Sequence, residues 1–317
     1  MDHYKKPNNT PWSGRISDDQ LYIHEKVQFL DLEKESIPKA QAKSFAILGY
    51  ECDEGVLRNN GRTGAINGPN TIRKMMASLS NHFSKKVNII DTGNITCPNQ
   101  DLEKAQKICA EKISKLQDNG YFTLLLGGGH DIAYAHYNGL KKSYPYKTIG
   151  IINLDAHFDL RKVINQPNSG TPFYQIAKEN THFSYLCLGI QQESNNKELF
   201  ATADKLDVEY ILNTDFTVHN SAYITSVLDT FIASVDIIYL TIDMDGFSSA
   251  YAPGVSAPSP FGFSPNIALE VIRQVASSGK LISIDIAELN PLYDIDNTTA
   301  RLAARLLYYI IAYSTQE

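Results

Sequence analysis

Thr148-Ile-Gly-Ile-Ile-Asn-Leu154 runs directly into Asp155-Ala-His157-Phe-Asp159, so a short apolar stretch ends in three side chains able to bind a metal ion. A run of this length, rich in isoleucine and too short for an ordinary helix, reads as a strand buried on both faces, as in a parallel sheet. The same pattern occurs twice more. Phe122 to Leu126 leads into Gly127-Gly-Gly-His130-Asp131, and Ile237 to Ile242 leads into Asp243-Met-Asp245. In an open α/β sheet, ligands bind just outside the carboxyl ends of the strands, so three separate segments carry ligating groups to the place where such a fold puts its site.

Working outward, the chain alternates short β-rich runs with amphipathic stretches, which predicts an α/β protein with a central, mainly parallel sheet and helices on both faces. The predicted strands are Phe45 to Gly49, Val87 to Ile90, Phe122 to Leu126, Ile149 to Leu154, Tyr185 to Leu188, Ile237 to Ile242 and Leu281 to Ile286. Helices are expected near Leu102 to Asp118, Ile132 to Lys142, Ala222 to Ala233, Pro265 to Ser278 and Thr299 to Tyr313. Pro265 suits a first helical position after Ser264 as cap, and Gly279 suits the position just past the end. No linker-like composition divides the chain, so one domain over residues 1–317 is expected, with a polar leader over 1–43 packed on it. The segment from Val56 to Arg73, with Gly61, Gly64 and Gly68 among Arg58, Asn60 and Arg62, reads as a long loop and a candidate anion-binding lid.

Composition narrows the function. A hydrophobic content of 43% supports a large core and argues against disorder. A net charge of -6 with no basic stripe argues against a nucleic-acid partner. No apolar stretch is long enough to span a bilayer, and the polar start lacks a signal-peptide core, which sets the expectation of a cytoplasmic protein. Cys52, Cys97, Cys109 and Cys187 show no metal-binding spacing and read as free thiols.

His130, Asp155, His157, Asp159, Asp243 and Asp245 form a hard, oxygen-rich set without a thiolate. Four carboxylates balance two divalent ions, and a carboxylate-dominated set with two imidazoles favours Mn²⁺ over Zn²⁺. If the segment Asp155 to Asp159 is extended, alternate residues share one face and converge. Two ions about 3.5–4 Å apart can hold a water as hydroxide for attack on an electrophilic carbon or phosphorus. The strand Leu281 to Ile286 leads into Asp285-Ile-Ala-Glu288-Leu-Asn290-Pro291, which brings Glu288 to the same edge. A carboxylate spare after the ligands are counted can hold a planar cationic N–C–N group, so an amidine or guanidine substrate is expected rather than a phosphate. Singly, each burst has an ordinary reading as a turn or a hydrogen-bonded histidine. Together they do not, because buried carboxylates are costly unless paired or bound to metal.

In order and spacing, Gly-Gly-x-His130, Asp155-Ala-His157-x-Asp159, Asp243-x-Asp245 and Asp285-x-x-Glu288-x-Asn290-Pro291 resemble the ureohydrolases, the family of arginases, agmatinases and formimidoylglutamases. The resemblance implies a three-layer α/β/α fold and two Mn²⁺ ions per chain. It implies His130 and Asp159 on one ion, His157 and Asp245 on the other, and Asp155 and Asp243 bridging. Within the family the chain most resembles the formimidoylglutamases, which cleave N-formimino-L-glutamate to L-glutamate and formamide in histidine breakdown. Arg161 stands where arginases carry an asparagine, and Phe173, in Ser169-Gly-Thr-Pro-Phe173, stands where they carry a proton-shuttling histidine. Ala252-Pro-Gly-Val-Ser-Ala-Pro258, Trp12-Ser-Gly-Arg15 and Gly61-Arg-Thr-Gly64 are further marks. This likeness assigns catalysis to Asp159 and Glu288 and substrate contact to Arg161, Ser169, Arg62 and Asn60, with Arg161 expected to point to the side of Asp159 and grip a carboxylate of a small dicarboxylate amidine. Members of the family are commonly trimers or hexamers, so a homo-oligomer is expected. The competing readings are an agmatinase or guanidinobutyrase that releases urea, and a metal-binding regulatory protein without turnover.

Overall fold

The computed structural model describes residues 2–41 and 43–315; residues 1, 42, 316 and 317 of the expected 1–317 domain lie outside them. Ten strands form one sheet in the order β1-β4-β3-β5-β10-β9-β6-β7-β8, with β2 also on β4. The strands are β1 (Tyr4–Lys5), β2 (Val27–Phe29), β3 (Ser44–Glu51), β4 (Asn88–Thr96), β5 (Phe122–Leu126), β6 (Ile149–Leu154), β7 (Ser184–Ile190), β8 (Glu209–Leu212), β9 (Ile237–Asp243) and β10 (Leu281–Ala287). All pairings are parallel except β1 with β4. Both short strands of the first 43 residues lie along the same edge of β4, β2 against Ile89 to Asp91 and β1 against Asn94 and Ile95. At two and three residues they are too short to give a sequence signal.

The alternation of the strand side chains splits the core in two. Ile47, Leu124, Leu126 and Ile152 face one cluster, and Ala46, Leu48, Leu125 and Ile151 face the other. The first cluster is closed by α3 (Gly68–Ala77), α8 (Ser221–Ser234), α9 (Pro265–Ser277) and α10 (Thr298–Ser314). The second is closed by α4 (Leu102–Asp118), α5 (Ile132–Ser143), α6 (Pro172–Glu179) and α7 (Lys197–Lys205). The molecule is the expected three-layer α/β/α sandwich. Every predicted strand and helix is present, within a few residues of its expected bounds except at β4, which continues six residues past Ile90 to Thr96. Gly279 takes the positive φ (71°) of a residue just past a helix end, while Ser264 stands at the N-cap of α9 without a side-chain cap bond.

One expectation fails. Val56 to Arg73 is not a long loop, because α2 (Glu54–Arg58) and most of α3 lie in or across it. The Gly68-Pro69 pair that reads as a breaker in sequence instead opens α3, where proline's missing N–H costs nothing. Two of its arginines, Arg58 and Arg73, are not free for an anion. Arg58 pairs with Glu54 and Glu103, and Arg73 is buried against Asp91. Among the described residues, no helix is long and apolar enough to cross a membrane.

Candidate metal centre

Strand order explains how residues 158 positions apart meet. The neighbours β5, β10, β9 and β6 form the middle of the sheet, and their carboxyl ends carry His130, Glu288, Asp243 and Asp155 side by side. The Gly127-Gly-Gly turn after β5 lets the backbone pass close to its neighbours, since a Cβ at Gly128 would lie 1.7 Å from the Cys52 carbonyl oxygen. Backbone bonds from Gly127 to Ile286 and from Glu288 to Gly128 lace this turn to β10. The Glu288 Oε1 then accepts the His130 N–H at 2.9 Å.

The ligand-type side chains form two overlapping groups. His130, Asp155, Asp159 and Asp243 make one, and Asp155, His157 and Asp245 make the other, with donor atoms within 4.8 Å of one another in each. His130 Nδ1 lies 3.2 Å from Asp155, 2.9 Å from Asp159 and 3.1 Å from Asp243. His157 Nδ1 lies 3.5 Å from Asp155 and 3.4 Å from Asp245. Asp155 belongs to both groups. Asp243, expected to bridge as well, is grouped with the first set, and its Oδ1 accepts the Asp245 N–H at 2.8 Å.

The convergence does not come from an extended segment. Asp155 Oδ1 accepts the His157 N–H at 2.7 Å, as Asp243 does for Asp245, and such aspartate turns bring the side chains of residues i and i+2 together. Asp159 then has a φ of 47°, so the expected rule that alternate residues share a face does not hold there. Glu288 (φ 64°) is also left-handed, a conformation that costs non-glycine residues on the order of 1–3 kcal/mol and is held by its surroundings. Asn195, which sequence reading passed over, clamps the bend by donating to the Ala156 carbonyl and accepting the Phe158 N–H. Asn153 does similar service, donating to Asp155 Oδ2 at 3.0 Å.

Charges crowd without balance. Burial, then the carboxylates of Asp245 and Asp155, push Asp243 well above the usual carboxylate range. Burial raises Asp159, and raises Asp245 to about 6 although His157 pulls it down. Burial also opposes charge on His130 and His157, but their aspartate partners outweigh it and hold both imidazoles well above their usual value. Asp155, between the two imidazoles, is lowered despite its burial. Two buried atoms of the cluster, His130 Nδ1 and Asp245 Oδ1, have no hydrogen-bond partner among the described residues. Anionic oxygens in surplus, turned inward with unused lone pairs, suit divalent cations.

The residues expected to contact substrate line the mouth. A cleft of about 300 Å³ is bordered by His130, His157, Asp159, Asp243, Asp245 and Glu288 at its floor and by Asn59, Asn60, Arg62, Arg161 and Ser169 at its rim. Arg161 is exposed and donates to Asn59 Oδ1 at 2.9 Å, and Asn59 in turn donates to Ser169 Oγ at 3.1 Å. Arg62 borders the cleft with two of its three guanidinium nitrogens committed. It donates to the carbonyls of Val255 and Ser256 and lies 3.9 Å over the Tyr293 ring. Asn60, at φ 61°, borders both this cleft and a wider outer one of about 750 Å³. Phe173 is fully buried, stacked on Tyr185 with its edge to the His130 ring.

The sequence model of the arginase family matches residues 43–312. The chain belongs to the arginase family. It is 40% identical to the formimidoylglutamase of Clostridium tetani (strain Massachusetts / E88), over 98% of this chain and 96% of that protein. The solved formimidoylglutamase of Bacillus subtilis superposes with a TM-score of 0.82 at 22% identity, over 95% of this chain and 94% of that one. The formiminoglutamase of Trypanosoma cruzi, solved with Mn²⁺, superposes with a TM-score of 0.79 at 24% identity, over 88% and 97%. These two likenesses concern the fold.

Proposed function

We propose that this protein is a formimidoylglutamase that hydrolyses N-formimino-L-glutamate to L-glutamate and formamide in histidine degradation, with two Mn²⁺ ions per chain. The observation that carries the reading is the pair of overlapping donor groups sharing Asp155 beneath a cleft that holds one further carboxylate, Glu288. His130, Asp155, Asp159 and Asp243 would hold one ion and Asp155, His157 and Asp245 the other. When bound, such ions supply Lewis-acid polarisation and acidify a water molecule.

Glu288 receives the substrate. Burial and the nearby Asp243 charge push its carboxyl well above the usual range. A cationic amidinium is the partner that stabilises it as a carboxylate, and the planar N–C–N group matches its two oxygens. In the reaction, water oxygen adds to the amidine carbon, the bond from that carbon to the glutamate nitrogen breaks, and the nitrogen leaves with a proton. With Phe173 buried where a histidine shuttle is otherwise expected, Asp159 is the group we assign to carry that proton. Its carboxyl faces the cleft and is 14% exposed, which places it to accept and release a proton there. At the rim, Arg161 with Asn59 and Ser169 suits the carboxylates of the glutamate part.

The test is a comparison of Mn²⁺-loaded protein on formiminoglutamate, agmatine, arginine and guanidinobutyrate, with formamide and urea measured separately. Formamide from formiminoglutamate alone is expected. Urea from agmatine or guanidinobutyrate without formamide would replace this reading, and two bound ions without turnover on any of the four would favour a regulatory protein.

A further inference from the structure

Asp285 and His136 have no place in the site described so far, although both are completely buried. Asp285 lies on β10 in register with Thr241 on β9. Its Oδ1 accepts the Thr241 hydroxyl at 2.6 Å, and its Oδ2 meets His136 Nδ1 at 2.6 Å and the Tyr239 hydroxyl. Thr241 Oγ1 lies 2.8 Å from His130 Nε2. Counting hydrogens sets the direction of this chain. A carboxylate only accepts, so the single Thr241 hydroxyl hydrogen goes to Asp285. Thr241 is then able only to accept from His130, which requires the hydrogen on Nε2. In a neutral imidazole the other nitrogen is left bare, and Nδ1, which has no hydrogen-bond partner among the described residues, faces Asp155, Asp159 and Asp243.

His157 has no comparable support. Among the described residues its ring nitrogens have ion-pair partners only in Asp155 and Asp245, and its side chain is 25% exposed. His130, by contrast, is tethered at Nε2 and wedged by the edge of Phe173, with ring centroids 5.4 Å apart at 78°. His136 is itself anchored behind Asp285, its Nε2 meeting the Ser283 hydroxyl on the same strand. The tether runs to one of the two metal positions only.

We propose that Asp285 is a positioning residue which, through Thr241, fixes the tautomer and direction of His130 and so sets the metal affinity of the position that His130 serves, with His136 holding Asp285. This rests on the two-ion reading, which fails separately if the parent protein binds fewer than two Mn²⁺ ions. Partners of this kind behind a ligating histidine are commonly worth 10–100-fold in metal affinity.

The experiment is Mn²⁺ titration by calorimetry and by electron paramagnetic resonance of Asp285→Asn, Thr241→Val and Thr241→Ser, with thermal unfolding of the metal-free proteins alongside. A His157→Ala background weakens the second position, so the isotherm there reports the first. Asp285→Asn and Thr241→Val should each weaken the His130 position about 10–100-fold, while the His157 position stays within about twofold. Thr241→Ser keeps the hydroxyl and should restore parent affinity. If Asp285→Asn does not fold, the contrast between Thr241→Val and Thr241→Ser decides. Unchanged affinity at the His130 position overturns the proposal. So does equal weakening at both positions together with a lower metal-free Tm, which would mark a role in folding only.

Discussion

Two buried charged clusters occupy the same sheet, and they are built on opposite plans. On β4, Asp91 receives both Nε and Nη2 of Arg73, the Trp12 indole N–H and the Gly93 N–H. Arg73 spends its other hydrogens on Asn94 and the Gly93 carbonyl. One cation meets one anion and the remaining atoms are satisfied within the protein. At the ends of β5, β6, β9 and β10, four aspartates and Glu288 face two imidazoles, and His130 Nδ1 and Asp245 Oδ1 have no hydrogen-bond partner among the described residues. A cluster that closes on itself holds chain segments together, here α3, β4 and the stretch around Trp12. A cluster that does not close needs something from outside. Burial alone therefore does not mark a functional site; an uncompensated balance of charge and hydrogen bonds does.

Substitutions should separate the two plans. The largest effect is expected for Asp155→Ala, which removes the side chain common to both donor groups. Metal analysis should show loss of at least one ion per chain and activity near background; a fully loaded, active variant would contradict the shared-ligand reading. Asp91→Ala removes one partner of a closed pair and leaves Arg73 buried and unpaired, which typically costs about 3–5 kcal/mol of stability. Denaturant unfolding should record that loss with metal content unchanged. Removing the ions from the parent with a chelator should also destabilise the protein, by about 2.7 kcal/mol relative to ion at a hundred times its Kd. The same treatment of Asp155→Ala should have a smaller effect, because part of the site is already gone. Equal chelator sensitivity in the two proteins would mean that the ions do not bind where the cluster is.

How much of this was legible beforehand differs between the clusters for the same physical reason. The central strands announce themselves as apolar runs, and each His or Asp of the open cluster sits within five residues of a run's end, so both the sheet and the gathering of these six side chains could be read from spacing. Asp91 and Arg73 carry no such mark. They come from a strand and a helix whose pairing depends on the close approach of β3, β4 and α3, and Arg73 looked like part of a glycine-rich loop. Thr241 and Asp285 fall between these cases. Tyr239-x-Thr241-x-Asp243 and Ser283-x-Asp285 place polar groups at every second position of buried strands, a stripe that shows in the sequence but whose partners depend on β10 inserting between β5 and β9. Asn59 and Asn195 gave no signal, since amides in loops have too many ordinary uses.

Glu288→Gln tests the open cluster without touching its donors. The variant should keep both ions and lose roughly ten- to hundredfold in kcat/KM, the value of a charge-assisted contact worth about 1.5–3 kcal/mol. Loss of metal instead would place Glu288 among the ligands.

The smallest effect is expected at the rim, where the structure revises what the sequence alone suggested. Read as part of an extended segment, Arg161 would share the face of Asp159 and lie deep beside the metals, and its loss would cost tenfold or more. Instead the backbone turns at Asp159, and Arg161 is exposed, its Nη1 held by Asn59. Solvent screens a charge pair in such a position, and exposed pairs are worth about 0.2–1 kcal/mol. Arg161→Ala should therefore raise KM for formiminoglutamate roughly two- to fivefold, with kcat and metal content unchanged. Arg161→Lys keeps the charge but not the forked donors, so it separates simple attraction of a dianion from an oriented grip. Recovery of parent KM in the lysine variant would indicate attraction alone, together with a salt-dependent KM in the parent. A KM as high in the lysine variant as in the alanine variant would show that the fork on Asn59 sets the geometry. No change in either variant would remove Arg161 from the substrate site and leave Asn59, Asn60 and Ser169 as the rim groups available to a carboxylate.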